Sequence, residues 1–185
     1  MVPLTALWLP ILLSAIIVFV ASSVMHMLLT YHRSDYRQLP DEDKLLAALR
    51  PAGLKRGLYF FPFGTHKEMK SPALIEKYKQ GPVGMLTVLS SGPPAMPKFL
   101  GMWFAYCLIV GFFVAYLTGR TVTPGAQYLA VFRVAGTAAF LAYGLGHLSN
   151  AIWKGQTWGA TLKEVIDGLV YGLLTAGTFG WLWPR

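Results

Sequence analysis

The sequence predicts an all-α membrane protein, with four transmembrane helices in a bundle and a small α+β cytoplasmic segment between helices 1 and 2. Three observations carry this expectation. Hydrophobic residues make up 55% of the chain and charged residues only 13%, a balance outside that of ordinary soluble domains. Four apolar runs are each long enough to supply the roughly 20 helical residues that a bilayer core requires. Eleven of the sixteen lysines and arginines lie between Arg33 and Lys98, the clustering expected of one cytoplasmic segment.

The first span covers about residues 4 to 31 and is almost wholly apolar. Pro10 falls near its start, where a missing backbone donor costs least. No basic stretch precedes the run and no small-x-small cleavage site follows it, so a retained span is expected instead of a signal peptide.

Residues 32 to 98 form the cytoplasmic segment. Asp41, Glu42 and Asp43 precede Leu45, Leu46 and Leu49, with Arg50 behind them, so the charges of this short helix match its dipole. Ser71 as cap and Pro72 as first residue open a second short helix that ends near Gly81. The runs Gly57 to Phe63 and Pro82 to Leu89 read as two strands that can pair. Two strands are too few for an independent domain, so the segment is expected to fold against the helix ends or a partner. Tyr59, Phe60, Phe61 and Phe63 are candidates for packing on the segment's own helices, for docking a partner or for lying on the membrane.

The second span covers about residues 99 to 117 and the third about 128 to 152, interrupted by Arg133, His147 and Asn150. The fourth covers about 161 to 183 and opens with Thr161 and Glu164 at capping-box spacing. Basic residues assign residues 32 to 98, Lys154 and Lys163 to the cytoplasmic side and both termini to the outside. Aromatic belts agree: Trp8, Tyr116, Tyr128, Trp181 and Trp183 outside, and Tyr31, Trp103, Trp153 and Trp158 inside.

Ionisable groups at membrane depth are costly and therefore informative. Counting along the helices sets His26, His147 and Asp167 in one layer roughly 7 to 9 Å from the cytoplasmic ends of their spans, at 1.5 Å per residue. Asn150, three residues after His147, shares its face. A structural reading has Asp167 accept a hydrogen bond from His147, or pair with Lys163, and so join helices. Functional readings are a proton relay, or a haem or transition-metal site on His26 and His147 with His32 and His66 as further ligands. Arg133, near the outer end of its helix, is expected to snorkel to the headgroups as an anchor. The lone cysteine, Cys107, can form no intrachain disulfide.

Helix packing is written in small residues. Gly168, Gly172, Ala176 and Gly180 recur every four residues on the fourth span, and Ala138, Ala142 and Gly146 form a ridge on the third. The two ridges are expected to meet as a close helical pair.

The stretches Asp167-Gly168-Leu169-Val170-Tyr171 and Leu174-Thr175-Ala176-Gly177-Thr178-Phe179-Gly180-Trp181-Leu182-Trp183-Pro184 resemble the C-terminus of a family of small uncharacterised bacterial integral membrane proteins. Trp8-Leu9-Pro10-Ile11-Leu12-Leu13-Ser14 and His32-Arg33-Ser34-Asp35-Tyr36-Arg37 are similar to that family's first span and the start of its cytoplasmic segment. The resemblance implies a bacterial inner-membrane location and assigns no functional residue.

No GxGxxG, GxxxxGK[ST] or GxSxG motif is present, so neither catalysis of those kinds nor their cofactors are expected. The net charge of +8 comes without a nucleic-acid recognition motif, and the expected partners are membrane lipids and other membrane-protein subunits or a second copy. The leading expectation is a non-enzymatic accessory or scaffold subunit of a larger membrane assembly. The alternatives are a small oligomeric ion or solute transporter and a haem- or metal-binding membrane protein.

Overall fold

A computed structural model describes residues 1–185. The chain divides into two compact units: residues 1–36, 95–152 and 156–185 form the first, and residues 37–94 with 153–155 the second.

The first unit is helical. A short 3-10 turn, Leu4–Leu7, leads into α1, Trp8–Met27. Three further long stretches follow the second unit's insertion, and each long helix touches two others: α1 packs on α4 (Met96–Thr121) and α7 (Trp158–Trp181), and α5 (Tyr128–Tyr143) packs on the same two. Their buried faces are built from small and β-branched residues, among them Ala15, Val18, Val114, Ala115, Val131, Ala135 and Ala139, which lets the backbones approach closely. Buried hydroxyls are mostly satisfied within their own helices: Thr175 donates to the Tyr171 carbonyl and Thr178 to that of Leu174.

Three helical stretches are long and apolar enough to cross a membrane: Leu4–Met27, Met96–Thr121 and Tyr128–Lys154. The expected fourth, α7, has 24 residues but carries Lys163, Glu164 and Asp167 together with many glycines and threonines, which lowers its apolar character below that of the other three.

Several expected boundaries move, each for a physical reason. The first span ends at Met27, not Tyr31, where the Leu28 and Leu29 N–H groups both donate to the Val24 carbonyl and terminate the helix. Residues Tyr31–Asp35 then form a separate 3-10 turn. The third stretch is broken: α5 stops at Tyr143, a 3-10 turn spans Leu145–His147, and α6 (Leu148–Lys154) follows. Gly144 precedes the turn and Gly146 lies within it, and their missing side chains weaken a continuous helix there. Gly155, at φ +69°, turns the chain towards α7.

The α7 start is corrected as well. Thr157, not Thr161, is its cap: Thr157 Oγ1 accepts the Ala160 N–H at 3.3 Å. Thr161 lies one turn inside, fully buried, with its hydroxyl unpartnered. The capping box with Glu164 therefore does not form. Thr157→Ala should lower stability by about 1 kcal/mol, whereas Thr161→Val should be neutral or stabilising because no hydrogen bond is lost. Thermal unfolding in mild detergent, followed by circular dichroism, checks both.

Trp103 and Trp183 leave their expected belts and turn inward. The Trp103 indole donates to Ser22 Oγ at 2.8 Å and that of Trp183 to the Thr123 carbonyl at 2.9 Å. Trp8, Trp153, Trp158 and Trp181 are exposed on the helix surfaces.

In the second unit, α2 (Glu42–Leu49) is capped by Asp41, whose side chain accepts the Lys44 N–H, and α3 (Pro72–Gln80) by Ser71, which accepts that of Leu74. Gly81, at φ +60°, ends α3. The two strands pair antiparallel, β1 (Gly57–Phe61) against β2 (Gly84–Val88), with Tyr59 opposite Leu86. This segment is a compact unit of its own, and its one buried hydrophobic side chain is Leu74.

Candidate metal centre

The polar cluster forms in the first unit, around Asp167 of α7. Its carboxylate is only 3% exposed. A buried carboxylate needs partners for its lone pairs, and it has them. Tyr31 donates its phenol proton to Asp167 Oδ1, and His32 Nε2 lies 2.7 Å from Oδ2. The second imidazole, His26 on α1, sets its Nε2 at 3.8 Å from the same Oδ2. The two rings stack with centroids 4.5 Å apart and an angle of 16° between their planes.

The local folding explains the arrangement. Because α1 stops at Met27 and the 3-10 turn follows, residues 31 to 35 come back beside α7. His32 and Asp35 are three residues apart in that tight turn, and His32 Nδ1 meets Asp35 Oδ2 at 2.6 Å. Lys163, one turn before Asp167, secures the turn through Asp35 Oδ1 (2.6 Å), Ser34 Oγ (2.7 Å) and the Tyr31 carbonyl (2.6 Å).

Electrostatics follow from this geometry. Burial disfavours the charged form of His32, but its hydrogen bonds to Asp35 and Asp167 outweigh that and hold its pKa above the ordinary imidazole value. Burial also works against ionised Asp35, yet Lys163 and His32 keep its pKa below the usual carboxylate value. Burial, and then the Asp167 carboxylate, push the Tyr31 phenol up, so it stays a neutral donor.

Both imidazoles have their Nδ1 already engaged. Nδ1 of His26 lies 3.1 Å from the Ser22 carbonyl, which can only accept, so that nitrogen is the donor and, in the neutral ring, Nε2 is the one left to bind a metal. His32 Nδ1 is bound to Asp35, and its Nε2, which meets Asp167 Oδ2 at 2.7 Å, would have to give up its proton to bind a metal. Nε2 of each ring and a carboxylate oxygen of Asp167 thus converge, all within 4.8 Å of one another. Ligand atoms around a tetrahedral ion with bonds of about 2.0 to 2.1 Å stand roughly 3.3 Å apart. The His26 separation from Oδ2, 3.8 Å, is near that value, whereas the His32 one, 2.7 Å, is that of a direct hydrogen bond and would widen to admit an ion.

The outer contacts are those a metal centre uses: a carboxylate behind one histidine, a backbone carbonyl behind the other, and a phenol fixing the carboxylate. His26 retains a side-chain exposure of 52%, which leaves an open approach.

Of the residues singled out from the sequence, His26 and Asp167 come together, but His147 and Asn150 do not join them. The helix break rotates His147 towards Glu164, with Nδ1 at 3.1 Å from Oε2. Asn150 lies on α6, where its backbone carbonyl accepts the Gln156 N–H. The expected alternative pairing of Lys163 with Asp167 is replaced by the ion pair with Asp35. His66 is exposed in the second unit. Arg133 is exposed on α5, in no salt bridge. Tyr31, Asp35 and the central role of His32 are additions from the structure; the His32-x-x-Asp35 spacing was the one sequence signal for them.

The ridge Gly168, Gly172, Ala176 and Gly180 does face α5. It meets Gly144, Phe140, Gly136 and Tyr128 there, not Ala138, Ala142 and Gly146. Ala138 and Ala142 border a different depression, between α4 and α5, and Gly146 has open space around it.

No protein-family model, curated protein or solved structure matches the chain.

Proposed function

We propose that the chain is a four-span bacterial inner-membrane protein that holds a late first-row divalent transition metal, such as zinc or iron(II), at the cytoplasmic end of its bundle. The observation that carries this is the convergence of His26 Nε2, His32 Nε2 and an Asp167 oxygen, with both Nδ1 atoms already occupied. Two imidazoles and one carboxylate suit such metals, whereas magnesium and calcium favour all-oxygen sites. Three protein ligands leave a coordination position for water or a further ligand.

A membrane location for α7 is supported by its surface. Leu162, Ile166, Leu169 and Leu173 form an exposed apolar stripe on one side, while Lys163 and Asp167 are engaged by the turn after α1. Lipid would cover that stripe, and the helix would then cross as the fourth span. The distribution of basic residues favours a cytoplasmic position for residues 32 to 98 and external termini. An accessory-subunit role in a membrane assembly accommodates a metal centre of this kind.

The test is metal stoichiometry. Protein purified in mild detergent, stripped with chelator and equilibrated with zinc should retain one equivalent per chain. His26→Ala and His32→Ala should abolish retention, and His147→Ala should keep it. Cobalt(II) should give an absorption band that the first two variants lack. A chain that retains no metal, or variants that bind as the parent does, would overturn the reading.

A further inference from the structure

The second unit carries an apolar face with no covering element of its own. The β1–β2 register sets Leu58 opposite Thr87 and Phe60 opposite Met85 on one side of the sheet, and Tyr59 opposite Leu86 on the other. The Tyr59 and Leu86 side is the more buried. Leu58 is 61% exposed, and just past the end of β2, in phase with Met85 and Thr87, Leu89 is 72% exposed. Such a grouping of large apolar side chains is costly in water and marks a surface that something covers.

The charge of the same unit indicates what. Nine lysines and arginines lie between Arg37 and Lys79, all exposed, none in a salt bridge, against five aspartates and glutamates. Three of those five are already used locally: Asp41 caps α2, Glu68 accepts from the Thr65 N–H and hydroxyl, and Glu76 accepts from the Gln80 amide. Lys55 and Arg56 stand immediately before β1. A second copy would bring the same positive excess against itself, which disfavours self-association through this surface. The unit is also tethered at both ends, since the chain enters it from the candidate span ending at Met27 and leaves it into the one beginning at Met96. One membrane surface is therefore always within reach at high effective concentration.

We infer that the outer face of the β1–β2 hairpin docks on the anionic headgroup surface of the membrane that the chain crosses, with Leu58, Phe60, Met85 and Leu89 entering the interface and the surrounding lysines and arginines binding lipid phosphate. This stands apart from the metal centre and would survive its failure.

The full-length chain tests it. Thr87→Cys, on the docking face, is labelled with an environment-sensitive fluorophore and reconstituted into phosphatidylcholine vesicles with or without phosphatidylglycerol; Cys107 is buried and stays unlabelled. With phosphatidylglycerol present, acyl-brominated lipid should quench the label several-fold more than in phosphatidylcholine alone, and aqueous iodide correspondingly less. High salt should reverse part of the gain. A label on Glu76→Cys, on α3, should remain open to iodide in both.

Replacing both Lys55 and Arg56 with glutamate should cut the lipid quenching without disturbing the hairpin. The inference is overturned if quenching is the same in both vesicle types. It is equally overturned if protection from iodide disappears as the protein is diluted in the bilayer, which would identify a second copy as the occupant.

Discussion

Gly168→Ala is expected to destabilise the helical unit by about 3 kcal/mol, at the upper end of what overpacking costs. A β-carbon at position 168 would run into the Gly144 Cα and stand 2.5 Å from the Gly144 nitrogen and 2.6 Å from the Tyr143 carbonyl carbon. All three obstacles are backbone, so no rotamer change relieves them, and α5 and α7 must separate. Along the same ridge the cost should fall in order. At Gly172 the added carbon meets Phe140 at 3.2 Å, backbone included, and requires a smaller shift. At Gly180 it meets the Tyr128 ring at 2.7 Å, which can swing aside. Gly146→Ala, with nothing nearby, should leave stability within about 0.5 kcal/mol of the parent. Thermal unfolding of the four variants in one detergent reads the series. If Gly146 and Gly168 responded alike, the close crossing at Gly144 would be refuted.

That crossing also marks how far spacing alone reaches. The α7 ridge was legible because its small residues recur every four positions among bulky neighbours such as Leu169, Tyr171 and Leu173. On α5 the same rule has too many solutions. Ala135, Gly136, Ala138, Ala139, Ala142 and Gly144 place small residues on nearly every side of the helix, so periodicity selects no face. The contact is decided by where the helix can break, at Gly144, and by which side remains for α4. The capping of α2 and α3 was legible for the opposite reason: Asp41 and Ser71 act on residues within three positions and need no tertiary information.

The polar centre divides in the same way. His26 and Asp167 stand out in the sequence because each interrupts an apolar helix. His147 stands out equally, yet the 3-10 turn at Leu145–His147 redirects it, a change of helical phase that residue counting cannot register. His32 lies beyond the end of its helix among polar residues, where only the spacing to Asp35 sets it apart from a solvated side chain. Its importance depends on the chain reversing after Met27 and on Lys163 gripping Asp35 from 128 positions away.

Asp167 supplies the sharpest separation between holding the fold and holding a metal. Asp167→Leu removes the acceptor of both the Tyr31 phenol and His32 Nε2, and destabilisation of about 2 to 3 kcal/mol is expected, somewhat below the figure for a fully buried pair because the partner side chains are partly reached by water. Glu164→Gln, at the more exposed His147 pair, should cost under about 1 kcal/mol. Asp167→Asn is different in kind. Its amide oxygen can still accept from Tyr31, and its amide nitrogen can donate to His32 Nε2 once that imidazole is neutral and keeps its Nδ1 proton on Asp35. Stability should then stay within about 1 kcal/mol of the parent. Metal affinity, however, should fall by at least about 100-fold, since losing an outer-shell partner alone costs 10- to 100-fold and here the anionic ligand itself is gone. Paired measurements of unfolding temperature and zinc affinity on the Asn and Leu variants decide the matter: an Asn variant that folds and binds zinc as the parent does would leave the carboxylate a purely structural link between α7 and the turn after α1.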